Sequence, residues 1–477
     1  MENYADYDAL GLAALVARKE VSPSELLDAA VQRAEAAQAT LNCFSAMFPD
    51  AAKMQISAGL ENGPFAGLPF ATKDLGAAVE NQPLTNGSVA WKGNVASQDS
   101  VLTQRFKAAG FAIFGQTTSP EWGLTTSTES TLFGQTRNPW NTSRTSGGSS
   151  GGASAAVAAG VIPVAHASDG GGSIRIPAAC TGLFGMKPSR GRTPMGPATT
   201  EGWNGQSCHG VVSRSVRDSA AALDAIHGPE VGSRYVAPPP SGTFLSALDA
   251  DPQPLKIALW MQAPNGTRPS EEAMNGLNAT GRLLEDLGHT VVEAGPKLDG
   301  EALGKSLMMT VSAAMAMVMD AREAEIGRAL NSDEMESVTA RFREFGNSIP
   351  MVELMRANQA SIQAGIDFDR FMVDNSVDLV LTPTLSREPD PLGVLSLNPE
   401  NVDAYGEAVT TFAPWCALFN QIGAPAMSVP LHWSSNDLPI GMMFGARCGQ
   451  ERDLFALAGQ LERAKPWADR RPPIWVG

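Results

Sequence analysis

"GGSSGGASAAVAAGVIPVAHASDGGGSIR", Gly147 to Arg175, decides how the chain is read. The glycines of "GGSSGG" open into "ASAAVAAG", small residues suited to a tightly packed helix. "VIPVAHA", Val161 to Ala167, is predicted as a strand, and "SDGGGSIR" sits at its C-terminal end. Strand ends in α/β sheets are where active sites collect.

The flanking sequence repeats this alternation. In "VSPSELLDAAVQRAEAA", Ser22 is an N-cap, Pro23 takes the first helical position and Glu25 closes a capping box. "VLTQRFKAAG" reads as a helix ended by Gly110, and "FAIFGQT" as a buried strand after it. Further on, "LKIALWM", "HTVVEAG", "VDLVLTPT", "APAMSVPL" and "IGMMFGA" read as strands. Glu271 to Leu287, Leu303 to Arg328, Val352 to Val373 and "ERDLFALAGQLERA" read as helices.

The class is therefore α/β: a central mixed, mostly parallel twisted sheet flanked by many helices. A chain of 477 residues has a length prior of about three domains. The Pro- and Ser-rich Val236 to Pro254 reads as a surface loop, so one large domain over 1–477 is expected. It carries a helical N-terminal arm over 1–60 and a variable helical region, about 300–375, that caps the substrate site.

Hydrophobic residues are 43% and net charge is −15, which argues against nucleic acid and anionic membrane partners. Cys43, Cys180, Cys208, Cys416 and Cys448 are scattered, without CxxC spacing. Reduced thiols in a cytoplasmic protein are expected, rather than a zinc site or disulfide framework. "MENYADYDALGLAALV" lacks the basic region and cleavable apolar core of a signal peptide. The longest apolar run, Leu307 to Met319, falls short of the about 20 residues of a membrane span.

Ser173 follows Gly170, Gly171 and Gly172. Bare backbone can turn several N–H groups into one concavity, as an oxyanion hole requires. Gly171-Gly172-Ser173-Ile174-Arg175 fails the G-x-S-x-G elbow at its last position. Neither His166 nor His209 has an acid at a recognisable spacing, so both read as structural. A lysine serves as base if burial keeps it uncharged. Lys73, after the apolar stretch of "GLPFATKD", is the candidate, and Ser149 is a second glycine-flanked serine able to relay a proton. A phosphate-binding loop would need G-K-[ST], which is absent.

Gly147 to Pro194 resembles the signature of the amidase signature family. "GLPFATKD", "FGQTRNPWNTSRTSGGSS", "SRSVRDSAAALDAI", "VDLVLTPT" and "LPIGMMFGARCGQERDLFALAGQLE" match it in order. The resemblance implies amide hydrolysis through a Ser–cis-Ser–Lys triad: Ser173 as acyl nucleophile, Ser149 as bridging serine after a cis Gly148–Ser149 peptide, Lys73 as base. It implies an oxyanion hole made by the N–H groups of Gly170, Gly171, Gly172 and Ser173. Asp169 and Arg175 would pin the loop, and the Gly123 carbonyl would face the substrate. No metal, nucleotide or organic cofactor is implied. The partners are a small amide and water, and a homodimer is common among relatives.

One departure stands out. The family's usual G-T-D-x-G-G-S carries a side chain at x, where "ASDGGGS" has Gly170. That, with "EWGLTTSTES", looks like the branch of 6-aminohexanoate cyclic dimer hydrolases and aryl acylamidases. Met308, Met309, Met315, Met317 and Met319 suit core packing or an adaptable apolar wall. Anilides, carbamates, esters or small lactam oligomers would then fit. The competing reading is the amidase subunit of a glutamine-dependent tRNA amidotransferase complex.

Overall fold

The computed structural model describes residues 3–477. Ser22 caps the helix Pro23–Leu41 as the sequence predicts, with its hydroxyl accepting from Glu25 N and Glu25 answering to the Ser22 N–H. The arm over 1–60 is not wholly helical. Phe44–Met47 forms a strand, β1, because it finds an antiparallel partner in a distant segment. That segment is β3 (Ala112–Thr117), which also runs parallel to β2 (Pro69–Lys73). The three make one sheet in the order β1-β3-β2.

Eight strands make the larger sheet. They are β4 (Val164–Asp169), β5 (Phe184–Lys187), β6 (Cys208–Ser213), β7 (Lys256–Leu259), β8 (Thr290–Glu293), β9 (Leu379–Pro383), β10 (Ala426–Trp433) and β11 (Pro439–Gly445). Their order is β8-β7-β9-β11-β10-β5-β6-β4. The sheet is mixed, but the expectation of a mostly parallel one is corrected. Only β8–β7 and β7–β9 pair in parallel, and the pairings from β9 across to β4 are antiparallel. Strand–helix alternation in a sequence suggests parallel crossovers, but it does not fix the direction in which the chain returns.

The two sheets meet at the active region. The N–H of Lys73, last residue of β2, donates to His166 Nδ1 on β4 at 3.0 Å. Behind this seam lies helix α1 (Gly151–Ala158), buried along its whole length. Its small residues follow from crowding: a Cβ on Gly152 would sit 2.5 Å from Thr118 N and 2.6 Å from Cys43 O. Helix α2 (Arg175–Thr181) follows β4 after the glycine turn.

Over 300–375 the chain forms α3 (Gly300–Ile326), α4 (Ser337–Ser348) and α5 (Met351–Asp374). The middle one lies between the two helices the sequence predicts. Met309, Met315 and Met319 are buried, whereas Met308 and Met317 are exposed. By length and composition α3 is apolar enough to cross a membrane, although its longest uninterrupted apolar run is short. Half of that span is buried within the fold.

Two glycines test this account of packing. Gly152→Ala should destabilise by about 1–3 kcal/mol through overpacking. Gly304→Ala, in α3 with no atom near its added Cβ, should stabilise by up to about 1 kcal/mol. Urea unfolding of the two variants should move the midpoint in opposite directions.

Candidate active site

Strand β4 supplies the site's two faces. Alternation sends His166 and Ser168 to one side and Asp169 to the other. On the first side, Lys73 Nζ lies 2.7 Å from Ser149 Oγ and 3.1 Å from Ser168 Oγ. Lys73 is fully buried. Burial disfavours its ammonium form and, against the opposing pull of Asp169, brings its pKa down to about 7. Ser149 is also buried and follows a cis Gly148–Ser149 peptide. Gly123, in the left-handed region at φ 70°, comes so close that a Cβ there would lie 2.8 Å from Ser149 Oγ.

Ser168 is a partner of Lys73 that the sequence reading missed. Its signal was present: a hydroxyl two residues from His166 on a strand must share that residue's face. The histidines are occupied with each other. His166 Nδ1 accepts the Lys73 N–H, and its Nε2 lies 3.0 Å from His209 Nδ1. Burial holds the pKa of both below the usual imidazole value, His209 at about 4. Each ring thus has a hydrogen-bond contact within the fold, and neither is hydrogen-bonded to Ser149 or Ser173 among the described residues.

On the opposite side Asp169 organises the glycine turn. Its carboxylate accepts from Gly172 N at 2.7 Å and Ile174 N at 3.1 Å. It also takes both Arg175 Nε and Nη2 at 3.0 Å, a bidentate, fully buried ion pair. Burial is the largest influence and opposes its charge, but Arg175, Lys187 and Asn420 together outweigh it and hold the carboxyl at about 2. Asn420, from far along the chain, donates to Asp169 Oδ1 at 2.8 Å and accepts from Arg175 Nη2 at 2.7 Å. No local pattern announced Asn420.

This network corrects one expectation. The Gly172 N–H is committed to Asp169, so it is not free to meet a developing oxyanion. The N–H groups of Gly170, Gly171 and Ser173 donate to no protein acceptor among the described residues. Gly170 and Gly171 are half-buried, and Ser173 lies at the turn they form. The loop carrying Ser149 lies against the first turn of α2: a Cβ on Gly147 would sit 2.6 Å from Pro177 Cα.

A buried lysine amine on a serine hydroxyl, behind a glycine turn with unused N–H donors, is a constellation for acyl transfer. The Amidase family model matches residues 25–455. The chain belongs to the amidase signature family. This amidase is 35% identical to the 6-aminohexanoate-cyclic-dimer hydrolase of Paenarthrobacter ureafaciens, over 98% of its own length and 96% of that relative's. A solved 6-aminohexanoate cyclic dimer hydrolase superposes with a TM-score of 0.93 at 32% identity, covering 98% of this chain and 99% of that one. A bacterial aryl acylamidase of the amidase signature enzymes gives 0.86 at 28% identity, with the same coverage. The amidase is a hydrolase of amides, close to both.

Asp169 tests the loop's electrostatics. Asp169→Asn should destabilise by about 3–5 kcal/mol, because it strands the buried Arg175 charge. Chemical denaturation of the amidase and its variant would measure the difference.

Proposed function

We propose that this amidase cleaves carbon–nitrogen bonds of small amides, aryl and alkyl amides and cyclic amide oligomers among them, through a Ser173–Ser149–Lys73 triad and an acyl-enzyme. The observation that carries the reading is the 2.7 Å contact between a fully buried Lys73 amine and Ser149 Oγ. A lysine with a pKa of about 7 is largely neutral under mildly alkaline conditions and accepts a proton.

Neutral Lys73 takes the proton of Ser149 as Ser149 takes that of Ser173. Ser173 Oγ attacks the amide carbonyl carbon. Negative charge gathers on the carbonyl oxygen, where the N–H groups of Gly170, Gly171 and Ser173 meet it. The Gly123 carbonyl helps to orient the substrate. The relay then runs backwards and protonates the departing nitrogen, since an amide anion is a very poor leaving group. Water, activated by the same relay, attacks the ester and frees Ser173. Ser168 keeps the lysine amine oriented at 3.1 Å. The names of the relatives support amides as the substrate class, and linear anilides and cyclic amide oligomers are the compounds to try first.

Ser173→Ala should abolish turnover of an anilide and labelling by a fluorophosphonate. Lys73→Ala should reduce kcat by about 10²-fold or more, the range for loss of a general base. Near-wild-type turnover in Lys73→Ala would break the relay. The pH profile gives an independent check. The base is active when unprotonated, so kcat/KM should fall about tenfold per pH unit below the free-enzyme pKa. That limb should lie near pH 7, the value at which burial holds Lys73.

A further inference from the structure

Trp203 is a large aromatic residue held in the left-handed region, at φ 51°. For a bulky side chain that conformation is an outlier, and it persists only where the surroundings fix it. They do so here. Ser207 N donates to Gly202 O and Gln206 N to Trp203 O, which closes the turn. Arg190 Nε donates to Gly205 O at 2.7 Å. Asn420 Nδ2 donates to Gln206 O at 3.0 Å while also holding Asp169. The turn and the Ser173 loop thus share one clamp.

The indole fills the space beside Gly170. A Cβ on Gly170 would sit 2.8 Å from Trp203 Cε3 and 2.9 Å from Cζ3. This is a physical reason for Gly170 at the position where the common pattern carries a side chain: the tryptophan supplies bulk from another segment. Both residues are half-buried, so neither is sealed from solvent.

Its side of the site can be assigned. Ser168 points from β4 to Lys73, whereas Asp169 points the other way, to Asn420 and the Trp203 turn. The departing nitrogen must reach Ser149 and Lys73 to gain its proton. The acyl group stays on Ser173, which follows the glycine turn that Trp203 packs against. We propose that Trp203 is a specificity-determining residue whose indole forms the wall of the acyl pocket and selects flat or unbranched apolar acyl groups. This rests on the assignment of Ser173 as nucleophile.

The test uses acetyl, butyryl, hexanoyl and benzoyl p-nitroanilides, with fluorophosphonate labelling of Ser173 as a control. In Trp203→Ala, kcat/KM should fall more steeply as the acyl group grows, by about 10–100-fold for hexanoyl and benzoyl and by much less for acetyl. The loss should appear mainly in KM, and Trp203→Phe should restore most of it. Gly170→Ala should be impaired by collision with the ring, and Gly170→Ala/Trp203→Ala should recover activity relative to Gly170→Ala alone, a coupling that separated residues do not show. A uniform loss across acyl sizes in both Trp203 variants, or strict additivity in the double variant, would overturn the proposal while labelling of Ser173 left the triad standing. Failure of the wild type to label at Ser173 would overturn both.

Discussion

An ammonium group is expensive to bury without a countercharge, and among the described residues no carboxylate hydrogen-bonds to Lys73. Its polar contacts at Nζ are two hydroxyls. Carrying a charge there would incur a desolvation penalty on the order of several kcal/mol. Burial brings its pKa down to about 7, so the amine can shed its proton under mildly alkaline conditions, as the proposed base requires. Burial by the fold thus raises the neutral fraction of this amine, and the packing of β2 against β4 and α1 produces that burial. The small residues of α1 bear on chemistry in the same way: they let that helix approach closely enough to close the space behind the seam.

The opposite face of β4 meets the same difficulty with the opposite solution. Asp169 is equally buried but remains charged, because Arg175 and Asn420 meet its carboxylate and two backbone N–H groups add to them. The pair holds the turn from Gly170 to Ile174 in one shape, and three of its N–H groups have no protein acceptor among the described residues. One strand thus has the buried Lys73 amine on one side and a rigid anionic post on the other, with the Ser173 loop just beyond its end. If these amides act as the proposed oxyanion hole, their being placed in advance makes it effective, because no reorganisation is needed as charge develops.

Much of this was legible in the sequence. Lys73, Ser149 and Ser173 stand out because glycines or an apolar run surround each of them. The strand order was not legible, since the pairing of β9 with β11 and of β10 with β5 depends on where distant segments return. The commitment of the Gly172 N–H was hidden for a related reason: a glycine's freedom says that an amide can point several ways, not which way it does. Asn420 carries no local mark and matters only because helix Cys416–Gln421 comes back against the turn. Ser168 lay within reach of strand alternation, but that needs knowledge of which face meets Lys73.

By itself the sequence determined the chemistry available: two serines in flexible glycine settings, a lysine in an apolar one, and an acid and a base close enough in the chain to pair. These are local properties, set by side-chain type and backbone freedom. Only the tertiary structure decided the state of each group. Whether the lysine is neutral depends on complete burial by three separate segments. Which amides remain free depends on an aspartate's choice of partners, and which bulk faces Gly170 depends on a tryptophan from another loop. Desolvation and steric exclusion act through space, and neighbours in space are what a linear pattern leaves undefined.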